Sequence, residues 1–326
     1  MDDINNMAER IPAKVLSDHH VSVTSDDRYR AALRFMAALW REEEKIPMGQ
    51  FVARDGSLHK LGSLISDRAA RSGRNFMTPA IAELANTELT YRQFGALYDP
   101  VRMRGNLLSS QAICFNVFGL AKIEPEFAQR FMAALMPSHF AEVTGVYFEF
   151  SPGRGVSQYT ADFTAFDLLI IGNSPSGERT FVAVELKYAE AATDRLPRRF
   201  SYRHEEIARE SGVVADPENP ELYRNPHQQL FREHMLAQSM IQQDEFDAGQ
   251  FIVVAPAANE PVLAACKRYQ SLLGDPKPKA VGFEHVSLER VIRAVSEAGE
   301  AAYADRLFRR YCDFERIGAK AISAAA

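Results

Sequence analysis

Two acids and a lysine, each set inside an apolar run of strand length, are the residues best placed to do chemistry in this chain. Asp167 interrupts FTAFDLLIIG (163–172), and Glu185 and Lys187 interrupt TFVAVELKY (180–188), with the turn-forming stretch NSPSGER between the runs. Side chains on a strand alternate between faces, so Phe181, Ala183, Glu185 and Lys187 share one face and Val182, Val184, Leu186 and Tyr188 the other. If the runs pair as a hairpin, Asp167 comes beside Glu185. Two carboxylates at that distance repel unless a cation lies between them, and buried charges need partners, a metal or a substrate. Hard oxygen ligands with room left for water suit Mg²⁺ or Mn²⁺. The neighbouring Lys187 ammonium can hold an attacking water or a phosphate, which completes a recipe for metal-assisted phosphodiester cleavage. For the Glu-x-Lys tripeptide alone, a solvated ion pair on a strand edge is the competing reading.

The elements that must position these groups follow in order. VTGVYFEF (143–150) has strand chemistry, and Glu149 interrupts its apolar end as the other acids interrupt theirs. SPGRGVSQYT then forms a turn-rich connection from which Arg154 is expected to project; Asp162 is a weaker acidic candidate nearby. After the hairpin comes a long polar connection, 189–225, whose Arg195, Arg198, Arg199, Arg203 and Arg209 suit substrate tracking, with short unrecognised helices or disorder as alternatives. A helix begins near Asn225-Pro226 (HQQLFREHMLAQSMIQQ), and its first turns can bring Gln229 and Arg232 toward the acids. His227 and His234 fall on different faces of it and suit packing better than metal binding. GQFIVVAPA reads as a buried strand added in parallel, a helix crosses back from about Glu260, AVGFEHV supplies a last strand, and Ser287 caps the next helix.

Phe166-Asp167 followed by Val184-Glu185-Leu186-Lys187 resembles the signature of the PD-(D/E)xK nuclease superfamily. The stretch from about Tyr147 to Pro256, with FEFSPGRG, TAFDLLI, VAVELKY, HQQLFREHMLA and FIVVAP, is similar to a restriction-endonuclease-like bacterial branch of it. The resemblance implies a mixed sheet with helices on both faces, Asp167 and Glu185 as metal ligands together with the Leu186 carbonyl, and Lys187 assisting the nucleophile. It places Glu149 near the centre as a third acid, with strand capping as the alternative role. Arg154, Gln229, Arg232, Arg198 and Arg199 become the expected substrate contacts. Some branches carry a Gln four residues before a Tyr on the helix after the central hairpin. Here Gln228 precedes Arg232 and Gln229 precedes Glu233, a departure that argues against an exonuclease of the helicase-associated kind.

With 326 residues, 46% of them hydrophobic, the chain can bury a large core in one big domain or two modest ones. Cys114, Cys266 and Cys312 lie far apart without zinc or disulfide spacing, which points to a reducing cytoplasm. No apolar run reaches membrane-spanning length, and MDDINNMAER lacks the order of a signal peptide. The net charge of −5 weighs against nucleic-acid binding, although a binding cleft needs only a local excess of Lys and Arg.

Ahead of the core, residues 1 to about 24 are expected to form a loosely held arm. DDRYRAALRFMAALWREEEK is expected to be a helix that buries Trp40, and 47–105 to hold short helical pieces with Arg68, Arg71 and Arg74 on a solvated face. Further helices are expected over about 106–119 and 125–136. Beyond the core, Arg306, Arg309 and Arg310 read as a solvated face, and AKAISAAA as a frayed tail.

The expected fold class is α/β: a restriction-endonuclease-like mixed sheet flanked by helices, with a helical N-terminal region at 1–138, a nuclease core at 139–290 and a helical extension at 291–326. The expected function is a divalent-metal-dependent endonuclease acting on DNA, with a homodimer as the arrangement that would cut both strands. The alternative is a non-catalytic nucleic-acid-binding or assembly protein on the same scaffold.

Overall fold

The computed structural model describes residues 11–53, 55–190, 200–275 and 277–325, with side chains described as far as Ala319. The chain forms two compact units. One holds the chain up to Leu89 with Tyr98–Gly119 and Gly299–Ala326; the other holds Thr90–Leu97 and Leu120–Ala298.

In chain order the elements are α1 (Ala13–Asp18), α2 (Arg28–Glu43), β1 (Met48–Val52), β2 (Leu58–Ile65), α3 (Asp67–Arg71), α4 (Pro79–Thr90), α5 (Pro100–Gly105) and α6 (Ser110–Ile123). There follow α7 (Pro125–Leu135), β3 (Glu142–Phe150), β4 (Phe166–Asn173), β5 (Arg179–Leu186), α8 (Tyr202–Ser211), α9 (Gln228–Gln242) and β6 (Ala248–Ala255). The chain ends with α10 (Glu260–Gln270), β7 (Gly282–Ser287), α11 (Leu288–Glu297), α12 (Ala301–Tyr311) and α13 (Phe314–Ala325). Helix starts fall where short polar side chains can take up unsatisfied amides: Asp27 accepts from the Arg30 amide and Ser287 from the Arg290 amide. No described helix is long and apolar enough to cross a membrane.

In the first unit α2 buries Leu33, Phe35, Met36, Leu39 and Trp40. The Arg310 guanidinium stacks on Trp40, 3.9 Å from the ring centroid, and is buried rather than solvated as expected. It also bonds to Asn75, so this arginine is spent on packing. Three other expectations fail here. Residues 11–24 are not a loose arm, because they contain α1 and bury Val15 and Val21. Residues 47–105 hold not only short helices but the antiparallel hairpin β1–β2, whose strands are exposed at the turn end (Gln50–Val52 and Leu58–Lys60) and buried in part toward the other, and so lack a readable apolar alternation. Its turn carries the one legible signal, Asp55-Gly56, with Gly56 at φ +83°. The tail continues as helix α13 to Ala325 rather than fraying from Ala319.

The second unit is built on a five-stranded sheet of order β3-β4-β5-β6-β7. β3, β4 and β5 pair antiparallel, whereas β5–β6 and β6–β7 are parallel, the mixed sheet expected from the sequence. Phe166, Leu169, Phe181, Ala183, Phe251 and Val253 join a core with Ile207 of α8, Phe231 and Leu236 of α9, and Val262 and Tyr269 of α10. α7 packs on β3 and α11 on β6 and β7. Leu168, Ile170, Val182, Val184, Ile252 and Val254, which alternate with Leu169, Phe181, Ala183, Phe251 and Val253, are also buried. Cover on both faces is why these strands read as nearly continuous apolar runs. The long connection 189–225 contains α8 and a 3₁₀ turn at Pro220–Tyr223, the short helices that its sequence did not reveal.

Gly172 marks where β3 and β4 come closest: a Cβ there would lie 1.9 Å from the carbonyl oxygen of Glu142. The strands would have to part to admit it. Gly172→Ala is therefore expected to destabilise the protein by about 2–3 kcal/mol, read as a lower midpoint in urea unfolding; an unchanged midpoint would contradict this packing.

Candidate active site

Three carboxylates are brought into one row by strand register. Leu168 pairs with Val184, and the same register carried one residue further sets Asp167 level with Glu185. On the other side Phe148 pairs with Leu168 and Phe150 with Phe166, which sets Glu149 level with Asp167. Directly opposed residues of antiparallel strands share a face, as Asp167 and Glu185 do, and Glu149, off regular strand geometry at φ +47°, stands at the same end of the sheet, close enough to act on both electrostatically. The ladder runs on past Leu186, since the Lys187 amide bonds the Val254 carbonyl at 2.8 Å, and alternation returns Lys187 to the Glu185 face.

A tight polar network surrounds Glu185, which is 5% exposed. The Lys187 ammonium lies 2.8 Å from Glu185 Oε1 and donates to Gln229 Oε1 at 2.7 Å. The Gln229 amide donates to Glu185 Oε1 at 2.7 Å and to Glu233 Oε1 at 2.8 Å. Asp167 Oδ2 accepts from the Leu186 amide at 2.8 Å, which ties the two strands together at the acids. Glu233 is 3% exposed, and its Oε2 has no hydrogen-bond partner among the described residues.

Glu149 occupies a left-handed backbone conformation (φ +47°), which costs a non-glycine residue about 1 kcal/mol or more. Its surroundings hold it there. The Arg154 guanidinium donates to the Glu149 carbonyl at 2.7 Å and to its carboxylate at 3.3 Å, and the Leu97 amide donates to the carboxylate at 3.2 Å.

The remaining expected contacts are placed as follows. Arg154 also donates to the Phe163 carbonyl at 3.1 Å, so it braces the loop beside Glu149. Arg232 faces Asp162 at 3.2 Å and Thr164 at 2.9 Å. Asp162 in turn accepts from Thr160, from Thr164 and from the Thr164 amide, and lies 3.4 Å from His204. It is the hub of a loop brace. Arg198 and Arg199, with Arg195, lie outside the described residues. His234 is buried in contact with Tyr269 and the Val281 carbonyl, a packing role, and burial lowers its pKa to about 4. Glu233 had not been singled out as a functional residue. Its signal was the spacing of four from Gln229 on a helix whose start abuts the acids, which sets both side chains on one helix face.

Burial and then the Glu185 carboxylate raise the pKa of Asp167 well above the usual range. The same two causes, in that order, raise Glu233. Burial also raises Glu149, against the pull of the Leu97 amide and Arg154. Burial works to lower Lys187, but Glu185 and Glu233 prevail and keep it firmly protonated. For Asp162 burial is likewise outweighed: His204 and Arg232 hold its carboxyl below the usual range.

Among the described residues no group of three or more His, Cys, Asp or Glu side chains forms a ready-made metal cage. The donor set nonetheless suits a hard divalent cation. It offers carboxylate oxygens in one row, mutually repelling and shielded from water, and Mg²⁺ typically takes one or two carboxylates and completes its shell with water and phosphate.

A mixed sheet flanked by helices, with acids and a lysine at the end of its central strands, defines a restriction-endonuclease-like fold. The chain belongs to the PD-(D/E)XK nuclease superfamily, whose family model matches residues 24–313. No curated protein and no solved structure matches it.

The raised carboxylates link stability to pH with a definite sign. A group whose folded-state pKa is raised contributes stability below its unfolded pKa, and that contribution is lost as pH rises through the folded value. In chelator, the melting temperature should therefore fall as pH rises above the ordinary carboxylate range, and Asp167→Asn should flatten part of that fall and melt higher at neutral pH. Equal melting of the two proteins across the range would refute the carboxylate crowding.

Proposed function

We propose that this protein is a divalent-metal-dependent endonuclease that hydrolyses DNA phosphodiester bonds. The observation that carries the reading is the row of Glu149, Asp167 and Glu185 with the Lys187 ammonium 2.8 Å from Glu185, on a chain that belongs to a nuclease superfamily.

Asp167 and Glu185, with the Leu186 carbonyl, would hold Mg²⁺ or Mn²⁺. A divalent cation, when bound, supplies Lewis-acid chemistry at the phosphoryl oxygens and offsets the charge that gathers there. The side chains do the rest. Lys187, kept protonated by its acidic neighbours, orients the attacking water and the scissile phosphate with its N–H donors. Gln229 accepts from Lys187 while donating to Glu185 and Glu233, so it fixes where the ammonium points. Glu233 accepts from the Gln229 amide and so keeps that side chain turned toward Lys187. Glu149 positions water at the outer end of the row.

The test is incubation of the purified protein with supercoiled and linear DNA, with Mg²⁺ or Mn²⁺ and in chelator. Nicking should require the metal, and Asp167→Ala and Lys187→Ala should each lower it by about a hundredfold or more. Metal-dependent nicking that survives both substitutions would end the assignment. Tight binding of DNA without cleavage by the unaltered protein would favour the non-catalytic scaffold instead.

A further inference from the structure

Beside the acid row the surface changes character. The segment TYRQFGAL (90–97) contains one arginine and no acid, in a chain whose net charge is −5. Within it Phe94 is 93% exposed and Tyr91 82%, and Leu97 and Arg92 are exposed as well. Phe163, on the loop between β3 and β4, is 53% exposed.

These side chains stand on fixed backbone. The Gln93 side chain bonds the Ser151 backbone through both its amide nitrogen and its oxygen, each at 3.2 Å, and the Leu97 amide bonds Glu149. Gly95, at φ +80°, lies so close to Phe163 that a Cβ would come within 2.8 Å of the ring. Arg154 closes the set by bonding the carbonyls of Phe163 and Glu149. The exposed aromatics are thus pinned to the same Glu149 that ends the acid row.

Exposed apolar rings on braced backbone commonly mark a binding surface. Here the surface adjoins a proposed phosphate-cutting centre, and segment 90–97 supplies a cation and no acid of its own. Every base has a π-face, and aromatic side chains beside a cationic track are how unpaired strands are held. An intact duplex hides its bases in the stack and offers phosphates at its surface. We propose that segment 90–97 and Phe163 form a base-stacking platform, so that the substrate of the adjacent centre is single-stranded or locally opened polynucleotide. This rests on the nuclease reading above.

The full-length protein, with Ca²⁺ in place of Mg²⁺, would be titrated by fluorescence anisotropy against a single-stranded oligothymidylate and a blunt duplex of equal length, at one ionic strength. The single strand should bind at least several-fold more tightly. Combined Phe94→Ala and Phe163→Ala should weaken its binding by roughly five- to a hundredfold and leave duplex binding unchanged, and Phe94→Trp should retain it. Circular dichroism checks that the variants fold. Equal or tighter binding of the duplex by the unaltered protein, or parallel losses for both probes, would overturn the platform while leaving the nuclease reading standing. Failure to bind either probe would overturn both. A dimer in sedimentation that Phe94→Ala dissolves would overturn the platform in favour of a protein interface.

Discussion

Carboxylates set side by side at the end of a buried sheet repel one another, and the second unit is arranged around how that repulsion is met. Lys187 answers Glu185 directly, and Gln229 ties both to Glu233. Such a network is stable only when each member has a partner, because an unpaired charge in low dielectric costs several kcal/mol. Here the balance is incomplete. Acids outnumber the lysine, the Asp167 and Glu233 pKa values are pushed up, and Glu233 Oε2 is left without a hydrogen-bond partner among the described residues. The proposed function draws on this shortage, since a cation bound here would relieve it, and the sheet supplies the rigidity that keeps the acids from moving apart.

That rigidity has an identifiable source. Both faces of β4, β5 and β6 are covered, so the row sits at the margin of a core and not on a flexible loop. α9 carries Phe231 and Leu236 into that core, and the same packing fixes the direction in which Gln229 and Glu233 point. Polar chemistry at the site is therefore positioned by apolar contacts behind it. The loop after β3 is held by a second polar set, in which Asp162 gathers Arg232, Thr160 and Thr164 and lies 3.4 Å from His204, while Arg154 spans Glu149 and Phe163.

The use of arginine bears on what the chain can bind. Arg154, Arg232 and Arg310 place their guanidinium groups against carbonyls, carboxylates and an indole of the protein itself. Arginine serves such roles because its planar fork satisfies several acceptors at once and is weakly hydrated. Counting basic residues along the sequence thus overstates the charge available to a phosphate backbone, and where the cations stand matters more than how many there are.

Much of the fold was legible before any coordinates. Apolar runs of strand length, separated by turn residues and helical patterns, determined the mixed sheet, and the charges inside those runs singled out Asp167, Glu185 and Lys187, because only a special environment keeps an ionised group within an apolar strand. The hairpin β1–β2 was not legible, since its strands change from buried to exposed along their length and so carry no alternation to read. Whether an arginine is solvated or buried was not legible either: Arg310 stacks on Trp40 across some 270 residues of chain, a separation that no local pattern spans. The sequence by itself determined which residues carry the charge and that they lie on neighbouring strands. Only the tertiary structure decided that Glu149 is level with them, that Gln229 and Glu233 close over Lys187, and that Asp162 braces a loop, because register and helix docking are set by packing between segments far apart in the chain.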